Sequence, residues 1–298
     1  MTKRKIKIDY RIGIHLFFII FSLAFIIPFI YVLSISFSND MDIKQYGYQF
    51  IPKTFDLGAY TYVFQNPEQL LSSYKITTFT SLVGTFCSVM IMALMAYPLS
   101  RSNFTYRKQV SFFVFFTMIF GGGLIPSYIL ITKYLRLGNT VWIYLFAGLA
   151  NAWHIIIMRT FFQSLPSALV ESAKMDGAGE LKILFRIIMP LSKPVIATIS
   201  LFILLQRWND WATALVYINN KRLYTLQFLL QRILREAEFI NTMMNEGMDN
   251  HLVGGMINIP TESIRFAMCV VAAGPMLIIF PFFQKYFVKG LTIGSVKG

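Results

Sequence analysis

The chain has 298 residues, of which 56% are hydrophobic and only 14% charged, with a mean hydropathy of +0.58. Soluble domains carry about 25% charged residues, so this composition excludes an ordinary water-soluble fold and points to lipid as the main solvent. The net charge of +13 does not indicate nucleic acid, because no basic tract is interleaved with aromatics in a polar setting; Lys and Arg held beside anionic lipid account for it.

A membrane span needs about 20 mostly apolar residues, and the sequence predicts six. Residues 1–11 contain "TKRKIK", which is like the basic start of a signal peptide, and the apolar run Ile12 to Phe37 follows. That run exceeds the roughly 7–15 residues of a signal core, so it reads as an uncleaved first helix. Residues 38–75, with "YQFIPKTFDLGAY", form an external segment. The second span is Ile76 to Leu99 and the third Val110 to Ile131, in which Gly121 to Gly123 and Pro126 predict a kink or a break. The fourth is Thr140 to Phe162, the fifth Pro194 to Tyr217 and the sixth Ile264 to Phe287, so residues 76–288 make a core of five spans. Pro28, Pro126, Pro275 and Pro281 are tolerated in lipid because neighbouring groups satisfy the freed carbonyls. A polar loop, 163–193, and a long loop, 218–263, interrupt the core. In the latter, "LYTLQFLLQRILREAEFINTM" predicts one or two helices, and the tail 289–298, "KGLTIGSVKG", reads as small, flexible and basic.

Basic residues set the orientation. With the N-terminus cytoplasmic, 16 of the 27 Lys and Arg fall inside; of the 11 outside, six lie in the long segment Arg207 to Arg265, which weighs less. Both termini are then cytoplasmic and the even span count agrees. Cys87 and Cys269 sit in apolar runs and imply neither a disulfide framework nor a metal site, and His15, His154 and His251 are scattered. No phosphate loop, zinc-protease motif or serine elbow occurs, so no catalytic residue is assigned and no cofactor is expected on this chain.

Within the loop 163–193, "ESAKMDGAGELKILFRIIMP" carries a concentration of charge unlike its surroundings. "SLPSALVESAKM" predicts a short helix with Pro166 in its first turn, Leu169 and Ala173 on one face, and a Glu171–Lys174 pair three residues apart. Gly177 and Gly179 permit the positive φ of a tight reversal. The helix then restarts with an apolar stripe of Leu181, Leu184, Phe185 and Ile188, and Pro190 and Pro194 end it before the fifth span. Physics alone leaves two readings open: an amphipathic anchor in the headgroups, or an elbow shaped to enter a cleft on a soluble partner.

The same stretch resembles the EAA motif, E-A-A-x-x-D-G-A followed some nine residues later by I-x-x-P, of permease subunits of binding-protein-dependent ABC importers. Glu171, Ala173, Asp176, Gly177, Ala178, Ile187 and Pro190 match by position, and Ser172 replaces an alanine with another small residue. "GGGLIPSYIL", "WNDW", "IPTESIRFA" and "PFFQKYFVKGLTIGSVKG" are similar, in order over roughly residues 70 to 298, to the maltose-permease-like, complex-oligosaccharide branch. The resemblance implies an all-α integral membrane protein of six transmembrane helices in the bacterial plasma membrane, with a coupling helix between helices four and five. It implies that Glu171, Ser172, Ala173, Asp176, Gly177, Ala178, Phe185 and Pro190 couple to a cytoplasmic ATPase. It further implies a second six-helix permease as heterodimer partner, two ABC ATPase subunits that hold ATP and Mg2+, an external solute-binding protein, a sugar substrate, and a tail that reaches the ATPases.

In "QRWNDWATAL", Arg207 and Asp210 are three apart and can pair. Each would cost about 2.5–3.5 kcal/mol at mid-bilayer, so both should face a cavity or the interface. Trp208, Asn209, Asp210 and Trp211 offer the flat faces and polar groups that hold sugars; an interfacial aromatic belt is the plainer alternative. Two rivals remain: a membrane enzyme of the lipid-phosphotransferase type, which "MDGAG" suggests but which lacks further metal-binding aspartates, and a stand-alone secondary carrier, for which no internal repeat is visible.

Overall fold

A computed structural model of the chain describes residues 10–245 and 261–295. Most of the expected cytoplasmic N-terminus, residues 246–260 of the long loop and the last three residues of the tail lie outside the described residues. In chain order the helices are α1 (Tyr10–Ser36), α2 (Asp40–Tyr46), α3 (Gly58–Val63), α4 (Pro67–Ser100), α5 (Arg107–Ile119), α6 (Leu124–Ile129), α7 (Trp142–Phe146) and α8 (Ala152–Ser164). They continue as α9 (Ser167–Met175), α10 (Glu180–Ile183), α11 (Met189–Leu191), α12 (Lys193–Trp208), α13 (Ala212–Tyr217), α14 (Leu226–Asn245) and α15 (Thr261–Ser295). Two π turns, Leu130–Tyr134 and Leu184–Ile188, extend α6 and α10, and a 3-10 turn covers Lys221–Leu223. Among the described residues the extended backbone amounts to one isolated bridge, Ser38 to Phe55.

The chain divides into two compact units, residues 1–66 with 232–274, and residues 67–231 with 275–298. In the first, α1 is apolar on every side, and every residue from Ile12 to Ile30 is exposed, as a helix facing hydrocarbon requires. Its end is tied down. Phe37 stacks on Phe55 and Tyr60, and Asn39 caps α2 through the Met41 N–H while its Nδ2 donates to Asp56. Asp40 Oδ1 accepts from the backbone N–H of Glu262 and Ser263, 2.8 and 3.1 Å away, satisfying the otherwise free donors that open α15. That cap explains why α15 starts at Thr261, before the apolar run expected from Ile264.

The second unit is organised around α4. Its buried positions include Ser73, Thr77, Thr80, Ser81, Gly84, Thr85, Ser88, Met92, Ala93, Ala96 and Tyr97, a stripe at three- and four-residue spacing. Small side chains along its first half let neighbouring backbones approach closely. The lower half joins a core with Val114 of α5, Ile155, Met158 and Phe162 of α8, Val170 and Ala173 of α9, Ile183, Leu184 and Ile188, and Val195, Ile199 and Ile203 of α12.

Among the described residues three helical stretches are long and apolar enough to cross a membrane: Ile12–Ser36, Pro67–Ser100 and Thr261–Pro281. The pairs Arg107–Ile119 with Leu124–Tyr134, bent by 110°, and Glu180–Leu191 with Lys193–Trp208, bent by 84°, raise the count to five if each is one span. The break after α5 is the one expected from the glycines, and Gly123 takes φ +84° there. The second helix begins at Pro67 rather than Ile76, because Gln69 and Ser72 donate to the carbonyls of Lys221 and Arg222 and hold more than two extra turns. Segment Thr140 to Phe162 is split into α7, of five residues, and α8, of 13. The tail expected to be flexible continues α15 as far as Ser295; its small residues do not stop a helix once the preceding turns have nucleated it. The helix expected in "LYTLQFLLQRILREAEFINTM" is present as α14.

Candidate functional site

Two places concentrate polar chemistry within the second unit. The first is the reversal after α9. Asp176 ends the helix; the Gly177 N–H donates to the Lys174 carbonyl and the Ala178 N–H to the Ala173 carbonyl, both at 2.9 Å. This is the Schellman arrangement, and Gly177 occupies its left-handed position with φ +74°. Ala173 and Ala178, the two ends of the six-residue bond, both pack on the core. Gly179 does not share the role: its φ of −70° suits any residue.

Burial in α9 goes to Val170 and Ala173, whereas Glu171, Ser172, Lys174, Asp176 and Gly177 are exposed. Met175 is 88% exposed at the tip. The expected Glu171–Lys174 pair is not among the ion pairs of the described residues; Lys174 reaches across the reversal to Glu180 Oε1 at 2.6 Å. Glu180 Oε2 accepts from the Tyr97 hydroxyl, also at 2.6 Å. The Lys174 hydrogen bond, then that of Tyr97, hold the Glu180 carboxyl below the usual carboxylate range. Beyond the reversal, Ile183, Leu184 and Ile188 are buried and Ile187 packs beside them, while Leu181 and Phe185 are exposed. The stripe expected from α-helical spacing therefore loses Leu181 and Phe185. The π turn Leu184–Ile188 widens the helix by one residue per turn and rotates the apolar face. Pro190 lies within α11, and the chain bends at Ser192.

The second place is a cleft of about 400 Å3 where two helices are interrupted. Residues 147–151 separate α7 from α8, and 209–211 separate α12 from α13; both interruptions line it, with Met92, Tyr144, His154, Ile203, Gln206, Arg207 and Thr213. Irregular backbone inside a membrane is tolerated where it is buried in protein or lines a cavity. Each broken end here is satisfied by a side chain. Arg207 donates to the Tyr144 carbonyl and, at 3.5 Å, to that of Leu145, at the C-terminal end of α7, where a cation is favoured. Its Nη2 also donates to Ser88 Oγ at 3.0 Å. The guanidinium lies against α4 at Gly84, where an added Cβ would stand 2.6 Å from Nη1. Asn151 accepts from the His154 N–H to cap α8.

The Arg207–Asp210 pair expected from spacing is not among the ion pairs of the described residues. Asp210 instead accepts from the Thr213 N–H at 3.0 Å, opening α13, while Arg207 serves the end of α7. The interruption after Trp208 takes the two side chains off a common helical face.

Residues 71–293 of the chain match the family described as the binding-protein-dependent transport system inner membrane component. The chain belongs to this family. The polygalacturonan/rhamnogalacturonan transport system permease protein YtcP of Bacillus subtilis (strain 168) is 39% identical, over 95% of this chain and 96% of its own length. Protein LplC of the same organism is 40% identical over 92% of this chain and 90% of its own. The crystal structure of a bacterial ABC transporter involved in the import of the acidic polysaccharide alginate contains a chain with a TM-score of 0.74 and 30% identity, covering 96% of this chain and all of that one. The chain is a permease subunit of an ABC importer and not an enzyme.

In this permease the residues expected to couple fall on one structure: Glu171, Ser172, Asp176 and Gly177 on the exposed rim, Ala173 and Ala178 as the packed ends, Phe185 and Pro190 on the returning segment. Of the four expected pathway residues, Asn209, Asp210 and Trp211 line the cleft. Trp208 is 3% exposed and borders a separate apolar hollow with Thr78, Leu82 and Leu204. Asn151, His154 and Gln206 of the cleft, and Met175 and Tyr97 at the reversal, were not picked out from the sequence. Asn151 had a readable signal as an N-cap before an apolar run; His154, whose buried Nδ1 has no partner, had none.

Proposed function

We propose that this permease is one half of the translocation pathway of an ATP-driven sugar importer, with an oligosaccharide as cargo. Six spans form the half-pathway, α7 with α8 supplying the fourth, and both termini face the cytoplasm. The elbow from Ser167 to Ile183 docks into a groove on a cytoplasmic ATPase that carries the ATP and Mg2+. A second permease completes the pathway, a second ATPase completes the motor, and an external solute-binding protein delivers the sugar. ATP-driven closure of the ATPases displaces the elbow, and the core in which Ala173, Ala178 and Ile183 are embedded passes the displacement to α4, α8 and α12.

The observation that carries this reading is the Schellman reversal at Gly177. It fixes a polar, charged tip with a protruding Met175 on a chain otherwise suited to lipid. A headgroup anchor needs an apolar face turned outward along a continuous helix; here Val170, Ala173 and Ile183 pack inward and the exposed tip is a bend. Sugar as cargo is supported by the name of YtcP, by the alginate importer of similar fold and by the chemistry of the cleft, where Asn151, Gln206, Asn209, Asp210 and the Trp211 ring offer donors, acceptors and a flat face. The experiment is co-purification from the native membrane followed by reconstitution. An ATPase subunit and a second permease should travel with the chain, and uptake of labelled oligosaccharide should require ATP and the binding protein. A chain that moves sugar alone, driven by an ion gradient, would exclude the proposal.

A further inference from the structure

We infer that Tyr97, outside the elbow and outside the cleft, is a positioning residue that couples the elbow to the long helix α4. The inference rests on the coupling role proposed above and adds the connection by which the displacement reaches the spans.

Glu180 holds three elements at once. One carboxylate oxygen accepts from Lys174 on α9, ahead of the reversal, and the other from the Tyr97 hydroxyl on α4. Glu180 itself opens α10, after the reversal. The two arms of the elbow are thus pinned to each other and to α4 through one side chain. The chain of contacts extends further. The Arg101 guanidinium lies over the Tyr97 ring, 5.0 Å from its centre, and its Nη2 donates to the Phe162 carbonyl near the end of α8. The apolar core passes displacement to α4 but fixes its direction weakly, because dispersion contacts are not directional. A charge-assisted hydrogen bond at 2.6 Å sets direction and register.

The bond lies beside a hollow of about 360 Å3 lined by Tyr97, Arg101, Phe104, Glu180 and Leu184. Free space next to the link means that the elbow can swing without overpacking, so the hydrogen bond adds to the packed core in making α4 follow. The ring of Tyr97 is buried in the core while its hydroxyl reaches the exposed carboxylate, which places the residue at the boundary between the moving elbow and the packed helices.

The test uses the complete importer in proteoliposomes and measures oligosaccharide moved per ATP hydrolysed, with the loaded binding protein outside. Tyr97→Phe removes only the hydroxyl and leaves the ring and Arg101 in place. The expected result is retained basal hydrolysis with the transport ratio reduced by roughly fivefold to tenfold, the scale of one partly exposed charge-assisted hydrogen bond. Combining Tyr97→Phe with Glu180→Leu should do no more than Glu180→Leu alone, since both remove the same link. Lys174→Met, on the solvent side, should lower the ratio in the same direction and cannot disturb the core, so it carries the test if Tyr97→Phe fails to assemble. An unchanged ratio in the assembled variants, or a lower melting temperature with normal coupling, would overturn the inference and leave Tyr97 a packing residue. Gly177→Val separates the two levels: if it uncouples while Tyr97→Phe and Lys174→Met do not, the elbow role stands and this link fails; if it also couples normally, the elbow role itself is lost.

Discussion

Replacing Gly177 by valine is the sharpest perturbation of the elbow. At φ +74° a residue with a Cβ is strained by roughly 1–2 kcal/mol, and a β-branched one stands at the upper end. An added Cβ meets nothing within 4 Å, so the cost is backbone strain alone and cannot be relieved by moving a neighbour. Opening the Schellman reversal is the remaining escape, and the ratio of docking-shaped to opened elbows should fall by about 5–30-fold. Apparent affinity for the ATPase falls with the docking-shaped fraction, by up to that factor. Titrating purified ATPase subunit onto the permease complex in nanodiscs, with fluorescence anisotropy as readout, measures it directly. Gly179→Val is the matched control: its φ of −70° accepts any side chain and its Cβ also meets open space, so it should bind as the wild type. Equal binding by Gly177→Val and wild type, or an equal loss at both glycines, would refute the reasoning.

Other consequences are as specific. Gly84→Ala places a methyl 2.6 Å from the Arg207 guanidinium, and the overpacking should cost about 1–3 kcal/mol, seen as a lower melting temperature in detergent. Arg207→Met leaves the Tyr144 carbonyl and the Ser88 hydroxyl without their donor and should destabilise by about 1–3 kcal/mol in the same assay. Trp208→Ala should lower stability by about 3–5 kcal/mol, because the side chain is buried. Trp211→Ala, at a position 37% exposed in the cleft, should leave stability within about 0.5 kcal/mol of wild type and weaken sugar-dependent uptake. For Glu180, a carboxyl pKa depressed by folding contributes stability above its unfolded value, lost as pH falls through the depressed one. Its carboxylate infrared band, assigned by difference from Glu180→Gln, should therefore persist at a pH where exposed glutamates are already protonated.

Apolar run length made α1, α4 and α15 legible, since a helix in lipid must satisfy its own backbone bonds. The glycines at 121–123 likewise foretold the break after α5. The split between α7 and α8 was not legible: Ala147 to Asn151 is no more polar than its flanks, and the helix stops there because Gly148 turns left-handed and Arg207, distant in sequence, takes the freed carbonyls. In the elbow the turn residues spoke clearly, but the partner of Lys174 did not. Helical spacing favoured Glu171, whereas the reversal brings Glu180 back within reach. The π turn defeated the placement of Phe185 for a similar reason, because periodicity assumes 3.6 residues per turn throughout. Arg207 and Asp210 illustrate the same limit, with an interruption between them that spacing does not register.

The central idea is that the exposed bend at Met175 meets a separate ATPase on the inner side of the membrane. A photo-activated cross-linker placed at Met175, in intact membranes holding the whole importer, tests it most directly. A single adduct with the ATPase subunit, lost when that subunit is stripped away, is the expected result. Adducts with lipid only, or labelling of this position by an impermeant reagent added outside the cell, would contradict it.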